Sequence, residues 1–141
     1  MKPKLIINGA AGRMGRRIVA LSVESGNFDI ICTVDAAGHP DMGKDAGSLA
    51  GAGALGVELS GSFKAGADVM IDFSLPGAIG AVLAYCLANG TALVTGTTGL
   101  NEQQLAEIKK ASEKIAIIQA TNMSVGMNVL FGVIGKVARM L

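Results

Sequence analysis

Apolar residues in this chain come in short blocks, and the blocks alternate between two periods. "KLIIN" (residues 4–8), "FDIICTVD" (28–35), "ADVMIDFS" (67–74), "TALVTG" (91–96) and "IAIIQA" (115–120) are continuous apolar or β-branched runs. Runs of that length read as strands buried on both faces. Between them, "RMGRRIVALSVES" (13–25), "AIGAVLAYCLANG" (78–90) and "EQQLAEIKKASEK" (102–114) read as helices. In the first, Met14, Ile18 and Leu21 form the apolar stripe, with Arg16 and Arg17 off it. In the third, Leu105, Ile108 and Ala111 form it, behind a capping box of Asn101 and Gln104. Gly26 stops the first helix, and Asn89 with Gly90 stops the second. Strands alternating with helices predict a parallel sheet covered on both faces: an α/β, Rossmann-like doubly wound fold in a single domain. Residues 36–66 are rich in glycine and alanine, with weak periodicity. They read as loops with one short strand near Val57–Leu59, or as a low-complexity linker.

Composition narrows the classes. Half of the 141 residues are hydrophobic and 16% are charged, with a net charge of +1. That suits one packed domain and gives no electrostatic footprint for nucleic acid or an anionic membrane. No apolar run reaches 18 residues, and the N-terminus lacks a signal peptide, so the expected location is the cytoplasm. Cys32 and Cys86 lie in apolar stretches without CxxC spacing or a nearby histidine, and read as buried free thiols. No metal site is expected.

The candidate chemistry sits in "NGAAGRMGRR", where Gly9, Gly12 and Gly15 recur every third residue between the first strand and the first helix. A side chain at Gly9 or Gly12 would hold phosphates away from the backbone. One at Gly15 would push the helix off the sheet. The helix start offers unpaired N–H groups and partial positive charge, where a pyrophosphate fits. Asp35 closes the second strand 20 residues after Gly15. Its carboxylate can accept hydrogen bonds from both hydroxyls of an adenosine ribose, although an acid at a strand end is often only solvated.

With "IDFS", "VTGTTG" and "ATNMSVGMN" following in order, the chain resembles the N-terminal part of the dihydrodipicolinate reductase family, from about Lys4 to Asn128. The resemblance implies a domain that holds NADH or NADPH, whose hydride goes to a cyclic, unsaturated dicarboxylate on the diaminopimelate route to lysine. By position, Gly9, Ala10, Ala11, Gly12, Arg13 and Met14 would wrap the pyrophosphate. Asp35 would take the ribose, and Gly96, Thr97 and Thr98 would line the cofactor further along. Ala120, Thr121, Asn122 and Met123 would approach the nicotinamide. Thr97 and Thr98 also read as a polar turn, and Asn122 as a turn former. Many NADPH-accepting members carry an arginine after the ribose-binding acid; here Ala36 stands there. NADH is therefore the expected preference, with Lys44 or Arg13 as cations that could still admit NADPH.

The resemblance also implies a second domain that binds substrate, drives tetramer formation and carries a histidine-rich segment followed by a lysine. The only histidine here is His39, which reads as a loop residue rather than a catalytic acid. No catalytic residue is assigned. The expected organisation is a dinucleotide-binding domain over 1–126, with 127–141 leading toward a missing second domain. Val129, Leu130, Val133, Val137 and Met140 fall at helical spacing in that last stretch, and self-association through it is expected. A stand-alone NAD(H)-binding regulatory or sensing module, without catalysis, is the alternative function.

Overall fold

Leu5, Ile6 and Ile7 have no solvent exposure, because strand β1 (Lys4–Asn8) occupies the middle of the sheet. Each such aliphatic side chain contributes about 1.5–3 kcal/mol by leaving water. The computed structural model describes residues 1–141. It contains β2 (Asp29–Val34), β3 (Leu59–Ser60), β4 (Val69–Asp72), β5 (Ala92–Thr95) and β6 (Ile117–Gln119). Together with β1 these form one sheet in the order β3-β2-β1-β4-β5-β6, with every pairing parallel. This is the doubly wound order, and its switch point lies between β1 and β4. The helices are α1 (Arg13–Ser25), α2 (Ala46–Leu49), α3 (Ile79–Asn89), α4 (Glu102–Ala111) and α5 (Val125–Met140). A 3-10 turn over Pro76–Ala78 leads into α3. No helix is long and apolar enough to cross a membrane.

Helix ends follow their local chemistry. Gly26 and Gly90 adopt left-handed φ of 61° and 64° after α1 and α3. At α4 the capping box forms in full: Asn101 Oδ1 accepts from Gln104 N–H at 2.8 Å, and Gln104 Oε1 accepts from Asn101 N–H at 2.9 Å. Cys32 and Cys86 are buried and unpaired. Burial pushes both thiols up, that of Cys86 to about 12, with the negative charge of Asp72 adding to the shift.

Several details depart from the pattern read in the sequence. The buried face of α1 is Gly15, Val19, Ala20 and Ser22, while Met14 and Leu21 are half exposed. Gly15 sets this rotation, since it is the point of closest approach to the loop; Val19 and Ser22 follow at i+4 and i+7. On α4, Ile108 and Ala111 are buried but Leu105 is exposed. The segment 36–66 lies inside the fold, and contains α2 besides β3. Helix α2 starts where Asp45 Oδ1 accepts from Ser48 N–H. Asp45 also accepts from the amides of Leu55 and Gly56, and these bonds hold its carboxyl down at about 2.

The sheet is not covered equally on both faces. Ile7, Ile71, Val94 and Ile118 lie in register across β1, β4, β5 and β6. Ile7 is fully buried beneath α1, whereas Ile118 is 61% exposed. Helix α5 buries none of its residues, and Val129, Leu130, Val133 and Val137 all stand exposed.

Candidate functional site

The carboxyl ends of β1, β2 and β4 open onto a cavity of about 590 Å³, at the switch point of the sheet. Gly9, Gly12, Asp35, Ala36, His39, Phe73 and Ser74 are among its lining residues. A second cavity of about 350 Å³ shares Gly12, Phe73 and Ser74 with the first, and is otherwise bounded by Arg13, Met14, Gly96, Thr97 and Thr98. The two form one trough that passes the start of α1.

The amides around this trough divide into two groups. Gly9 and Ala10 N–H both donate to Val34 O, at 2.9 and 3.0 Å, and Gly12 N–H donates to Gly9 O at 3.1 Å. Ala11 N–H donates to Asp35 Oδ2 at 2.9 Å. The amides of Arg13, Met14 and Gly15 have no acceptor in the chain, and no side chain caps the helix. Three parallel donors at the positive end of a 13-residue helix make an anion site. Arg16 braces the loop from beneath, with Nε donating to Ala11 O at 2.8 Å and the guanidinium pairing with Asp41 at 3.0 Å. Lys44 also binds Asp41, and chiefly through that bond Asp41 is held below the usual carboxylate range.

Each glycine has its own reason. Gly15 touches the loop backbone, and a Cβ there would lie 2.6 Å from Ala10 Cα. That matches the expected helix-to-sheet contact. Gly9 differs from expectation. Its φ is +75°, and its Cβ would strike the Phe73 carbonyl just past β4, so packing against that strand end by itself requires glycine there. Only Gly12 faces the trough with little behind it, its Cβ meeting Gly9 O at 3.2 Å. Gly96 makes room for the Phe73 ring, which a Cβ would hit, and also lines the second cavity.

Asp35 stands where expected, just past β2. Its carboxylate is engaged, with Oδ2 on Ala11 N–H and Oδ1 on Ala36 N–H at 2.8 Å. It thus ties the glycine loop to the second strand while lining the first cavity. Ala10 and Ala11 lie beneath the loop, buried, and do not line the trough. Ala120 N–H bonds Thr95 O, which places the 120–123 segment at the same carboxyl edge. Thr121, Asn122 and Met123 line neither cavity. Asn122 Oδ1 accepts from Ser124 N–H and its carbonyl accepts from Asn128, so in this structure it builds the turn into α5.

The least anticipated residue is Asp72. It closes β4, is fully buried, and sits in register with Asn8 at the end of β1. Oδ1 accepts from Asn8 Nδ2 at 2.8 Å and Ser74 Oγ at 2.6 Å. Oδ2 accepts from Thr95 Oγ1 at 2.8 Å and Thr97 Oγ1 at 2.9 Å. This hub joins three strand ends beneath the trough. Its signal in the sequence was a polar residue ending each of two apolar runs.

Comparison with known proteins bears on the same region. Residues 3–123 match the family model described as dihydrodipicolinate reductase, N-terminus. The chain is 43% identical over 144 residues to a 4-hydroxy-tetrahydrodipicolinate reductase of Alkalilimnicola ehrlichii, covering 100% of this chain and 54% of that protein. It is 41% identical to one from Anaeromyxobacter dehalogenans, covering 98% and 52%. The chain therefore spans about half the length of the curated relatives it matches. Among solved structures, the dipicolinate-bound dihydrodipicolinate reductase of Paenisporosarcina sp. TG-14 aligns with a TM-score of 0.64 at 24% identity, over 89% of this chain and 49% of that one. Lactate dehydrogenase of Eimeria maxima, with NADH and oxamate, aligns with a TM-score of 0.57 at 18% identity, over 84% and 43%. At these identities the two structures speak for the fold alone.

Proposed function

The chain belongs to the dihydrodipicolinate reductase family, matching its N-terminal part, and we propose that it is the cofactor-binding half of an NAD(P)H-dependent reductase of 4-hydroxy-tetrahydrodipicolinate. The substrate in this reading comes from the family match; one observation carries the cofactor. The unpaired amides of Arg13 and Met14 at the start of α1 and a carboxylate at the end of β2 border one trough, with the unpaired Gly15 amide next along the helix. The charge and spacing of that pair fit a dinucleotide, with the pyrophosphate on the amides of Arg13, Met14 and Gly15 and the adenosine ribose at Asp35. Gly12 lets the phosphates come close. Gly9, Ala10 and Ala11 shape the loop from below. Gly96, Thr97 and Thr98 border the cavity that would take the nicotinamide end, and Ala120, Thr121, Asn122 and Met123 lie beyond it along the same edge. When bound, the reduced cofactor supplies a hydride. The chain's own residues orient it and shield one end from water.

NADH is the preferred cofactor in this reading. Asp35 is the only charged side chain lining the first cavity. Lys44, a candidate partner for a 2′-phosphate, is occupied by Asp41 at 2.6 Å. A 2′-phosphate beside Asp35 would face a like charge, with unpaired Arg13 at the start of α1 as the remaining cation that could offset it. Titration of the chain with NADH and NADPH tests this, and tighter NADPH binding would overturn the preference.

Hydride transfer to a conjugated imine must be completed by a proton. None of the residues lining the second cavity is a carboxylic acid, histidine or lysine. The chain alone is expected to bind cofactor without turnover, the proton donor belonging to the remainder of the reductase. Residues 1–126 form the dinucleotide-binding unit in this reading, and 127–141 begin the connection onward. The exposed apolar surface of α5 leads to self-association of the isolated chain. A cytoplasmic location suits a biosynthetic reductase with two unpaired thiols.

A further inference from the structure

We propose that Asp72 is a positioning residue that fixes the hydrogen-bond polarity of the second cavity, making Ser74 and Thr97 acceptors toward the ligand and so selecting a donor group there. The inference rests on the reading that this cavity takes the nicotinamide end of the cofactor. Its chemical consequence is preference for a carboxamide over a carboxylate at that position.

Four donors converge on the two oxygens of a fully buried carboxylate, which is its full acceptor capacity. A hydroxyl has a single proton. Ser74 commits its proton to Oδ1 at 2.6 Å, and Thr97 commits its proton to Oδ2 at 2.9 Å. Thr95 does the same from a fully buried position, and its oxygen faces the Thr97 amide at 3.3 Å. What remains at Ser74 and Thr97 are lone pairs, presented to the cavity chiefly by Ser74, since Thr97 is only 2% exposed. Ser74 lines both cavities and Thr97 lines the second. A carboxamide NH₂ finds partners there. A carboxylate, which can only accept, meets other acceptors and loses its water without replacement.

The polarity can be reversed by a single atom. In Asp72→Asn the new amide nitrogen takes the Oδ2 side, because the Asn8 amine opposite Oδ1 cannot turn into an acceptor without flipping its whole amide. Thr95 and Thr97 then accept from it, which frees the Thr97 proton for the cavity or for Ser74 O at 3.5 Å. Ser74→Ala instead removes one acceptor at a half-buried position and leaves the other three donors on Asp72.

The test is calorimetric titration of the full chain with NADH, with reduced nicotinic acid adenine dinucleotide, and with ADP-ribose. The unmodified chain is expected to bind the acid analogue roughly tenfold or more weaker than NADH. Asp72→Asn and Ser74→Ala should each shrink that ratio several-fold while ADP-ribose affinity stays within about twofold. A merely structural role would weaken all three ligands together. Equal binding of NADH and the acid analogue by the unmodified chain overturns the inference alone. So does an unchanged ratio in Ser74→Ala, which stands even if Asp72→Asn fails to fold. Binding of neither NADH nor ADP-ribose overturns the cofactor reading and the inference with it.

Discussion

Replacing Gly15 by alanine adds one methyl group at the contact between α1 and the glycine loop. On an open helix surface Gly→Ala stabilises by up to about 1 kcal/mol. At Gly15 the new Cβ would sit on the Gly9 carbonyl, 2.6 Å from Ala10 Cα and 2.7 Å from Gly9 C, where ordinary contact begins at 3.4 Å. All three atoms are backbone, held by the bonds of Gly9 and Ala10 to Val34 and by Arg16 on Ala11. No rotamer can relieve the clash, so the helix start must withdraw by roughly an ångström. Overpacking of this kind costs about 1–3 kcal/mol and outweighs the propensity gain. For a chain of this size each kcal/mol lowers Tm by about 3–5 °C. The withdrawal also carries the Arg13 and Met14 amides away from the trough, so NADH affinity should fall at least about tenfold. Thermal unfolding and NADH titration read the two effects. Gly80 on α3 is the control: a Cβ there meets nothing within 4 Å, and Gly80→Ala should leave Tm unchanged or slightly raised. If Gly15→Ala behaves as Gly80→Ala does, the close approach does not set the position of α1 and the reasoning fails.

Gly12→Ala, whose Cβ faces the trough, should keep Tm within about 3 °C yet weaken NADH several-fold; equal NADH affinity would mean the phosphates do not pass there. Asp35→Asn leaves one of two amide donors unpartnered, and should cost about 1 kcal/mol of stability and about tenfold in NADH affinity, with NADPH affected less. Asp45, held at about 2 against an ordinary 3.8, stabilises the fold above the higher value, and that contribution is lost as pH falls toward the lower one. Protection factors of the Ser48, Leu55 and Gly56 amides should fall over that window, and Asp45→Asn should remove that pH dependence. Leu130→Glu or Val133→Glu on α5 should shift a self-associating chain toward monomer in sedimentation velocity, without loss of NADH binding.

Local chemistry was legible in the sequence; contacts between distant segments were not. The strand-loop-helix start, the Asn101 cap and the Gly26 and Gly90 stops depend on neighbours within a few residues. The crowding behind Gly9 is not legible in the sequence, because its partner, Phe73, lies on a different strand. The buried face of α1 turned on the Gly15 contact, which hydrophobicity at Met14 and Leu21 does not report. Asp72 was hidden for the same cause: a lone acid in an apolar run acquires meaning only when Asn8, Ser74, Thr95 and Thr97 are brought around it. The exposure of Ile118 and α5 follows from which helices cover which half of the sheet, and apolar blocks alone are silent on that.

In the proposed function the pyrophosphate rests on the unpaired amides at the start of α1. Amide chemical shifts of the ¹⁵N-labelled chain, followed during titration with NADH, test it directly. The amides of Arg13, Met14 and Gly15 should move downfield along a single saturating curve, as acceptorless donors gain a phosphate oxygen. Saturable binding that leaves those three resonances in place would contradict it.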